Sequence, residues 1–215
     1  MRALRRVVIF VALTFAVSAH GASVLFIGNS FTIGETAPVP VIFDRLAQAG
    51  GHGDPVVMMQ AVGGMDFQYH AQNATTLSAI NSQAWDYVVL QNYSTEPTHY
   101  VDGTHSLADH LFYGALLYEQ IMTRNPLAQV ILFETWSRAA VHPYITGVSG
   151  PTTFASTTEM QGELRTNYAA LAESLNSNNP TDPAVRVAPV GTAWENSGGL
   201  RAPFDPQFRD LFGSD

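Results

Sequence analysis

Residues 24–32 read VLFIGNSFT, and the fold class can be worked out from this stretch outward. An apolar run is followed at once by the small polar residues Gly28, Asn29 and Ser30, a pattern that predicts a buried strand and then a turn. Open α/β sheets bind their ligands beyond the carboxyl ends of the strands. We therefore expect Ser30 to be a nucleophile. The alternative that these nine residues leave open is that Ser30 only caps the next helix.

The rest of the chain repeats the alternation of strand and helix. Apolar runs predict further strands over residues 55–61, 86–91, 129–136 and 185–190. Helical spacing of apolar residues predicts helices over residues 38–49, 65–80, 107–122 and 158–175. This order predicts an α/β fold, with a five-stranded parallel sheet covered by helices on both faces. No boundary divides residues 20–215, which we expect to form one domain.

Residues 1–19 have the pattern of a secretory signal peptide. Arg2, Arg5 and Arg6 precede an apolar segment, and small residues lead up to a cleavage site after Ala19. The alternative is an uncleaved anchor, but the apolar segment is shorter than the roughly 20 residues that span a bilayer. We expect a periplasmic or secreted protein that leaves the membrane after cleavage.

Charge and cysteine content restrict the possible partners. The chain has ten arginines, no lysine and 18 acidic residues, so loss of the leader would leave seven cations. This acidic balance argues against nucleic acid and anionic membranes as partners. The chain has no cysteine, which excludes disulfides and thiolate chemistry. His105 and His110 are five residues apart instead of four, and no His-Glu-x-x-His motif is present, so we predict neither metal nor cofactor.

A serine nucleophile needs a base and hydrogen-bond donors for the oxyanion. Gly63 and Gly64 follow the second predicted strand, where their backbone N–H groups could donate. Gln91 and Asn92 follow the third and carry side-chain amides. The alternative interpretation is that the two glycines and the two amide residues are ordinary turn residues. Because parallel strands end at one edge of the sheet, we expect these groups to converge on Ser30.

Taken together, these blocks resemble the SGNH/GDSL hydrolase superfamily of serine esterases and lipases. The similarity covers residues 23–215 and is greatest to a bacterial branch with GNSFT, here residues 28–32, in place of the GDSL motif. Supporting blocks are WDYVVLQ at 85–91, TWSR at 135–138 and VAPVGTAW at 187–194. The resemblance implies a flavodoxin-like three-layer α/β/α sandwich. It also implies acyl transfer through Ser30, with the backbone N–H groups of Ser30 and Gly64 as oxyanion donors.

The chain departs from the family pattern at two points. The family's third donor is an asparagine in a Gly-x-Asn-Asp turn, whereas residues 91–94 here read QNYS. We expect Asn92 to be this donor, with Gln91 as the alternative. The family also has an Asp-x-x-His segment, in which Asp215 takes the place of the aspartate. The histidine would follow the last residue, so we expect a chain truncated before its catalytic histidine and final helix.

Two alternatives for the base remain open. The protein is catalytically inactive, or an internal histidine, His142 or His70, serves instead. With the base absent, we expect very weak activity or none.

The predicted substrate is an ester, with an acetylated carbohydrate as the specific expectation. Aromatic residues near the strand ends that could stack on a sugar ring, or simply cover the core, are Tyr93, Trp136, Tyr144 and Trp194. His142 is a further candidate for substrate contact. Arg138 could bind a substrate carboxylate or pair with Glu134, and pairing is the favoured interpretation. The alternative function is a non-catalytic carbohydrate-binding protein on the same fold. A nucleotide binder ranks last because no glycine-rich phosphate loop follows the first strand.

Overall fold

A computed structural model describes residues 21–101, 103–147 and 153–200. The predicted signal peptide and Asp215 lie outside these ranges. The strands are β1 (Ser23–Gly28), β2 (Val56–Ala61), β3 (Tyr87–Leu90), β4 (Gln129–Phe133) and β5 (Arg186–Ala188). All pair in parallel, in the order β2-β1-β3-β4-β5. The predicted α/β fold with a five-stranded parallel sheet is confirmed.

The helices are α1 (Ser30–Ile33), α2 (Val39–Ala49), α3 (Phe67–Gln72), α4 (Ala74–Asn81), α5 (Leu107–Arg124), α6 (Pro143–Thr146), α7 (Thr157–Asn178) and α8 (Val190–Asn196). The single helix predicted over residues 65–80 is two helices. Asn73 separates them because its backbone is extended and its side chain accepts hydrogen bonds from the N–H groups of Thr75 and Thr76, which caps α4. No helix within the described ranges is long and apolar enough to cross a membrane.

The larger core lies on the face of the sheet covered by α3, α4, α5 and α7. Alternate strand residues such as Leu25 and Val88 meet Phe67, Leu117 and Tyr168 from these helices. The intervening strand residues form a smaller cluster on the opposite face. There Phe26, Val89 and Phe133 pack near Val39 of α2 and Val190 of α8. The three layers are therefore helix, sheet and helix.

The carboxyl ends of the three neighbouring strands β2, β1 and β3 are level with one another. The N–H of Val62 donates to the Gly28 carbonyl (3.0 Å), and the N–H of Gln91 donates to the Ile27 carbonyl (2.9 Å). Consequently the loops that carry Ser30, Gly64 and Asn92 start side by side at one edge of the sheet.

Candidate active site

Ser30 is the first residue of α1, directly after the buried strand β1. The cap of this helix is Asn29, whose side-chain oxygen accepts a hydrogen bond from the Phe31 N–H (3.2 Å). Capping is therefore the role of Asn29, and the capping alternative for Ser30 is wrong. The Ser30 side chain is exposed and makes no hydrogen bond with any residue of the described ranges. Its hydroxyl is free to meet a ligand.

Asn29 also connects the loops on either side of Ser30. Its amide nitrogen donates to the Met65 carbonyl (2.8 Å) and to the Asn92 carbonyl (3.3 Å), in the loops that follow β2 and β3. Its backbone N–H donates to Gln91 Oε1 (2.9 Å). Because Asn29 is buried, these bonds are shielded from water and fix Ser30 relative to both neighbouring loops.

Gly64 lies in a tight turn at the end of β2. The Met65 N–H donates to the Val62 carbonyl (3.2 Å), and Gly64 has a φ of 75°, the left-handed backbone that position three of a type II turn requires. The Gly64 N–H has no acceptor among the described residues, and a Cβ placed on Gly64 would meet no atom within 4 Å. Gly64 also lines an open cavity of about 400 Å³ together with Asp66, Tyr69 and His105. The turn thus offers a free backbone donor beside the loop of Ser30.

Gln91 has a structural role in this arrangement. Its side-chain oxygen accepts from the Asn29 N–H and from the Thr32 hydroxyl (both 2.9 Å). Its amide nitrogen donates to the carbonyl of Asn92. The residue is buried, so it offers no donor to a substrate.

The side chain of Asn92 is likewise buried, and both its oxygen and its nitrogen have partners inside the protein. Its side-chain oxygen accepts from the N–H groups of Phe67 (2.8 Å) and Tyr93 (2.7 Å). Its amide nitrogen lies 2.9 Å from both Glu96 Oε1 and His110 Nδ1. The structure therefore does not support the prediction that Asn92 or Gln91 is an accessible oxyanion donor. The physical reason is that both amides satisfy buried polar groups of the strand ends.

The two internal histidines suggested as bases have other partners. The buried His70 ring contacts the Gly28 carbonyl through Nε2 (2.8 Å) and the Thr76 hydroxyl through Nδ1 (3.0 Å). Because a carbonyl can only accept, Nε2 carries the proton, and burial lowers the pKa of the ring. His142 caps α6 by accepting from the Tyr144 N–H (3.2 Å). Neither ring is hydrogen-bonded to Ser30, and substrate contact by His142 stays a prediction.

The aromatic side chains stack on one another. Phe31 and Trp136 are parallel with ring centroids 4.3 Å apart, and Trp136 and Trp194 are parallel at 4.4 Å. Two rings this close cannot share one face of Trp136, so they cover both faces. One face of Tyr93 is covered by His105 at 4.1 Å. The structure does not support Trp136 as a platform for a sugar ring, because its faces are already occupied.

Arg138 does not pair with Glu134, so the favoured interpretation from the sequence is wrong. Glu134 Oε1 instead accepts from Gln161 Nε2 (2.9 Å) and from the N–H and hydroxyl of Thr192 (2.7 and 2.8 Å). The Arg138 guanidinium donates through Nη2 to the Ser94 hydroxyl (2.7 Å). Its central carbon lies 5.9 Å from the ring centroid of Phe31, the residue after Ser30.

One group of side chains in the described ranges could hold a metal ion. Ligand atoms from Asp66, Glu96 and His105 all lie within 4.8 Å of one another. Each already has a partner: Asp66 caps α3, Glu96 accepts from Asn92, and His105 lies 3.6 Å from Asp66 and stacks on Tyr93. Sequence spacing could not reveal this group because it joins three separate segments. The absence of a metal stays a prediction.

The fold is shared with solved structures of hydrolases. No protein-family model matches the chain, and no curated protein sequence matches it. AlinE4, an SGNH-hydrolase family esterase, matches with a TM-score of 0.55 at 16% identity, over 91% of this chain and 85% of that one. The chain has the fold of an SGNH-type esterase. A lipase/acylhydrolase from Enterococcus faecalis matches with a TM-score of 0.53 at 15% identity, over 86% and 85% of the two chains. A DUF4886 family protein from Bacteroides uniformis gives 0.53 at 19% identity, over 82% and 70%.

Proposed function

We propose that this chain is a serine esterase in which Ser30 is the nucleophile. The observation that carries the proposal is the exposed, uncommitted hydroxyl of Ser30, on the first turn of α1 and joined through Asn29 to the neighbouring loops. The fold it shares with esterases supports the same chemistry, although a fold alone does not fix a reaction.

The reaction would be acyl transfer in two steps. Ser30 Oγ adds to the ester carbonyl carbon, its proton passes to a base, and the alcohol leaves with a proton. Water then hydrolyses the acyl-serine by the same route. The negative charge on the carbonyl oxygen would be stabilised by the backbone N–H groups of Ser30 and Gly64, both without an acceptor within the described ranges.

For the base, we propose the aspartate–histidine pair that the resemblance to the SGNH/GDSL superfamily implies. Asp215 would orient a histidine that removes the proton from Ser30. Asp215 lies outside the described residues, and no described histidine is hydrogen-bonded to Ser30. We expect the substrate to be an acetylated carbohydrate that the enzyme meets after export. The signal-peptide pattern of residues 1–19 agrees with export.

The test compares Ser30→Ala with Ser78→Ala, a control at an exposed serine of α4. Hydrolysis of p-nitrophenyl acetate and acetate release from acetylated oligosaccharides are measured, and peptide mass spectrometry locates the acetylated serine. We expect acetylation at Ser30, loss in Ser30→Ala of all turnover above the uncatalysed rate, and wild-type rates in Ser78→Ala. Equal rates in wild type and Ser30→Ala would remove Ser30 from the mechanism. Saturable oligosaccharide binding without acetylation would favour the carbohydrate-binding alternative.

A further inference from the structure

We propose that the guanidinium of Arg138 is an anion-binding subsite beside Ser30, so that the ester substrate carries a carboxylate. This inference rests on the proposed esterase function and adds the substrate class to it. The carboxylate could lie on the acid half or on the alcohol half of the ester.

The guanidinium of Arg138 has few partners within the described ranges. Nη2 donates to the neutral hydroxyl of Ser94, and Nε is buried with no hydrogen-bond acceptor in the part of the chain that the structure describes. Nη1 makes no hydrogen bond with the described residues and is not among their fully buried atoms. No carboxylate within the described ranges forms an ion pair with Arg138. A guanidinium has five N–H donors suited to a carboxylate, and most of them are uncommitted here.

The Arg138 side chain lies at the same edge of the sheet as Ser30. Arg138 follows β4, yet its side chain reaches Ser94 in the loop after β3 and lies over Phe31 after β1. Since β3 lies between β1 and β4 in the sheet, the guanidinium extends across the end of β3 toward Ser30. Gly64 follows β2, on the other side of β1. The free oxyanion donor and the uncommitted cation therefore flank Ser30 from opposite sides.

The backbone that carries Arg138 is held in place by α7. The N–H of Ser137 donates to Gln161 Oε1 (2.8 Å), and the N–H of Arg138 contacts Met160 Sδ (3.4 Å), so α7 holds this backbone. The fully buried Gln161 also donates to the Thr135 carbonyl (3.2 Å). A cation fixed in advance loses little freedom when a ligand binds, which favours recognition.

The positive charge of Arg138 also favours an anionic ligand. The formal charge of −8 on the whole chain repels anions in general, whereas a cation with no counter-charge among the described residues is a local site of attraction for an anion. His142 is close enough for the Arg138 charge to contribute, after burial, to the lowering of its pKa. A histidine is neutral or cationic in every protonation state at ordinary pH, so His142 is not a counter-ion for the guanidinium.

The test measures kcat/KM for two matched ester pairs on the purified protein, with the spontaneous rate subtracted. The 4-nitrophenyl half-ester of adipic acid is compared with its neutral methyl ester, which places the carboxylate on the acid half. Then 4-acetoxybenzoate is compared with methyl 4-acetoxybenzoate, which places it on the alcohol half. Three variants are compared with the wild type. Arg138→Gln removes the positive charge, and Arg138→Lys keeps the charge but lacks the paired N–H donors of a guanidinium. Ser94→Ala keeps the guanidinium and removes only its hydroxyl partner.

We expect the wild type to prefer the anionic member of at least one pair. Arg138→Gln should lose roughly 10- to 100-fold on that ester and less than threefold on its neutral partner, the range of a charge-assisted hydrogen bond. Arg138→Lys should retain part of the preference and Ser94→Ala most of it. An equal loss on neutral and anionic esters would overturn the subsite and instead indicate that Arg138 stabilises the oxyanion. An absent preference in the wild type would also overturn it.

The melting temperature with added ligand measures binding without requiring turnover. Monomethyl adipate, but not dimethyl adipate, should raise the melting temperature of Ser30→Ala, and the added Arg138→Gln change should abolish the rise. If no ester is hydrolysed yet this shift is seen, the esterase proposal fails while the anion site stands. If Ser30-dependent hydrolysis is seen without any anion effect, only the subsite fails.

Discussion

At the scale of single residues, Asn29 organises the surroundings of Ser30, because its buried side chain joins the loops that follow β2 and β3. The local pattern of Gly28, Asn29 and Ser30 was enough to predict a strand end and a turn. It could not say which of two good capping residues caps α1, because serine and asparagine are almost equally favourable there. It also could not show that Asn92 and Gln91 turn inward, because an amide serves equally well as an oxyanion donor or a buried connector.

His110 shows how such buried connectors respond to pH. Its Nδ1 lies 2.9 Å from the amide nitrogen of Asn92, which can only donate, so the ring is neutral. Complete burial lowers its pKa to about 3, and burial also lowers the pKa of His70. In the unfolded chain these histidines have the ordinary pKa of about 6.5 and bind a proton below that pH. The free energy of unfolding is therefore highest above about pH 6.5 and declines as the pH falls toward the pKa of the folded state.

We predict that His110 alone lowers the free energy of unfolding by about 2 kcal/mol between pH 8 and pH 5. The loss occurs below about pH 6.5 and amounts to about 1.4 kcal/mol for each pH unit. His99 acts in the opposite direction, since its contact with Glu163 raises its pKa, but it is largely exposed and contributes little. Urea unfolding of wild type and His110→Asn across this range measures the slope. The variant should be less stable at pH 8 and have a flatter slope. An unchanged slope would contradict the neutral, buried assignment.

At the scale of elements, the strands were predicted well and the short helices were not. The apolar runs behind β1 and β3 are continuous because parallel strands are buried on both faces. The helices α6 and α8 have four and seven residues, too short for a periodic pattern. The break at Asn73 was missed because a capping residue within an otherwise helical stretch is a weak signal. The level ends of β1, β2 and β3 followed from the parallel sheet.

The turn after β2 gives a matched pair of substitutions at neighbouring glycines. A Cβ would meet nothing within 4 Å at either Gly63 or Gly64, but only Gly64 has a positive φ. We predict that Gly63→Ala changes stability by less than about 0.5 kcal/mol, whereas Gly64→Ala costs about 1 kcal/mol of left-handed strain. Because that strain would rotate the Gly64 N–H, the rate on p-nitrophenyl acetate should fall roughly tenfold or more.

Unfolding curves and initial rates on the two variants separate these effects. A loss of stability without loss of rate in Gly64→Ala would remove its N–H from the oxyanion site. Equal losses of rate in both variants would assign the effect to the loop as a whole.

At the scale of the whole molecule, the two faces of the sheet are covered unequally. One face packs against four helices, whereas within the described ranges the other meets α2 and the short α8. The helical spacing of Ile42 and Leu46 predicts one apolar stripe on α2, yet these side chains are 46% and 66% exposed. Met59 of the edge strand β2, which pairs with Phe26 and so points to the same face of the sheet as α2, is also exposed. Apolar side chains exposed on one face of the sheet favour association with other apolar surfaces.

We predict that the double variant Ile42→Glu/Leu46→Lys remains folded and associates less. Neither side chain is buried, so little transfer free energy is lost, and a glutamate four residues before a lysine adds about 0.2–0.5 kcal/mol to a helix. Sedimentation and the melting temperature of wild type and variant measure both effects, with Leu117→Lys in the larger core as a control that should unfold. The variant should sediment as the smaller species and melt within a few degrees of wild type. A loss of more than about 2 kcal/mol would mean that this face is covered in solution, since only burial makes such charges costly.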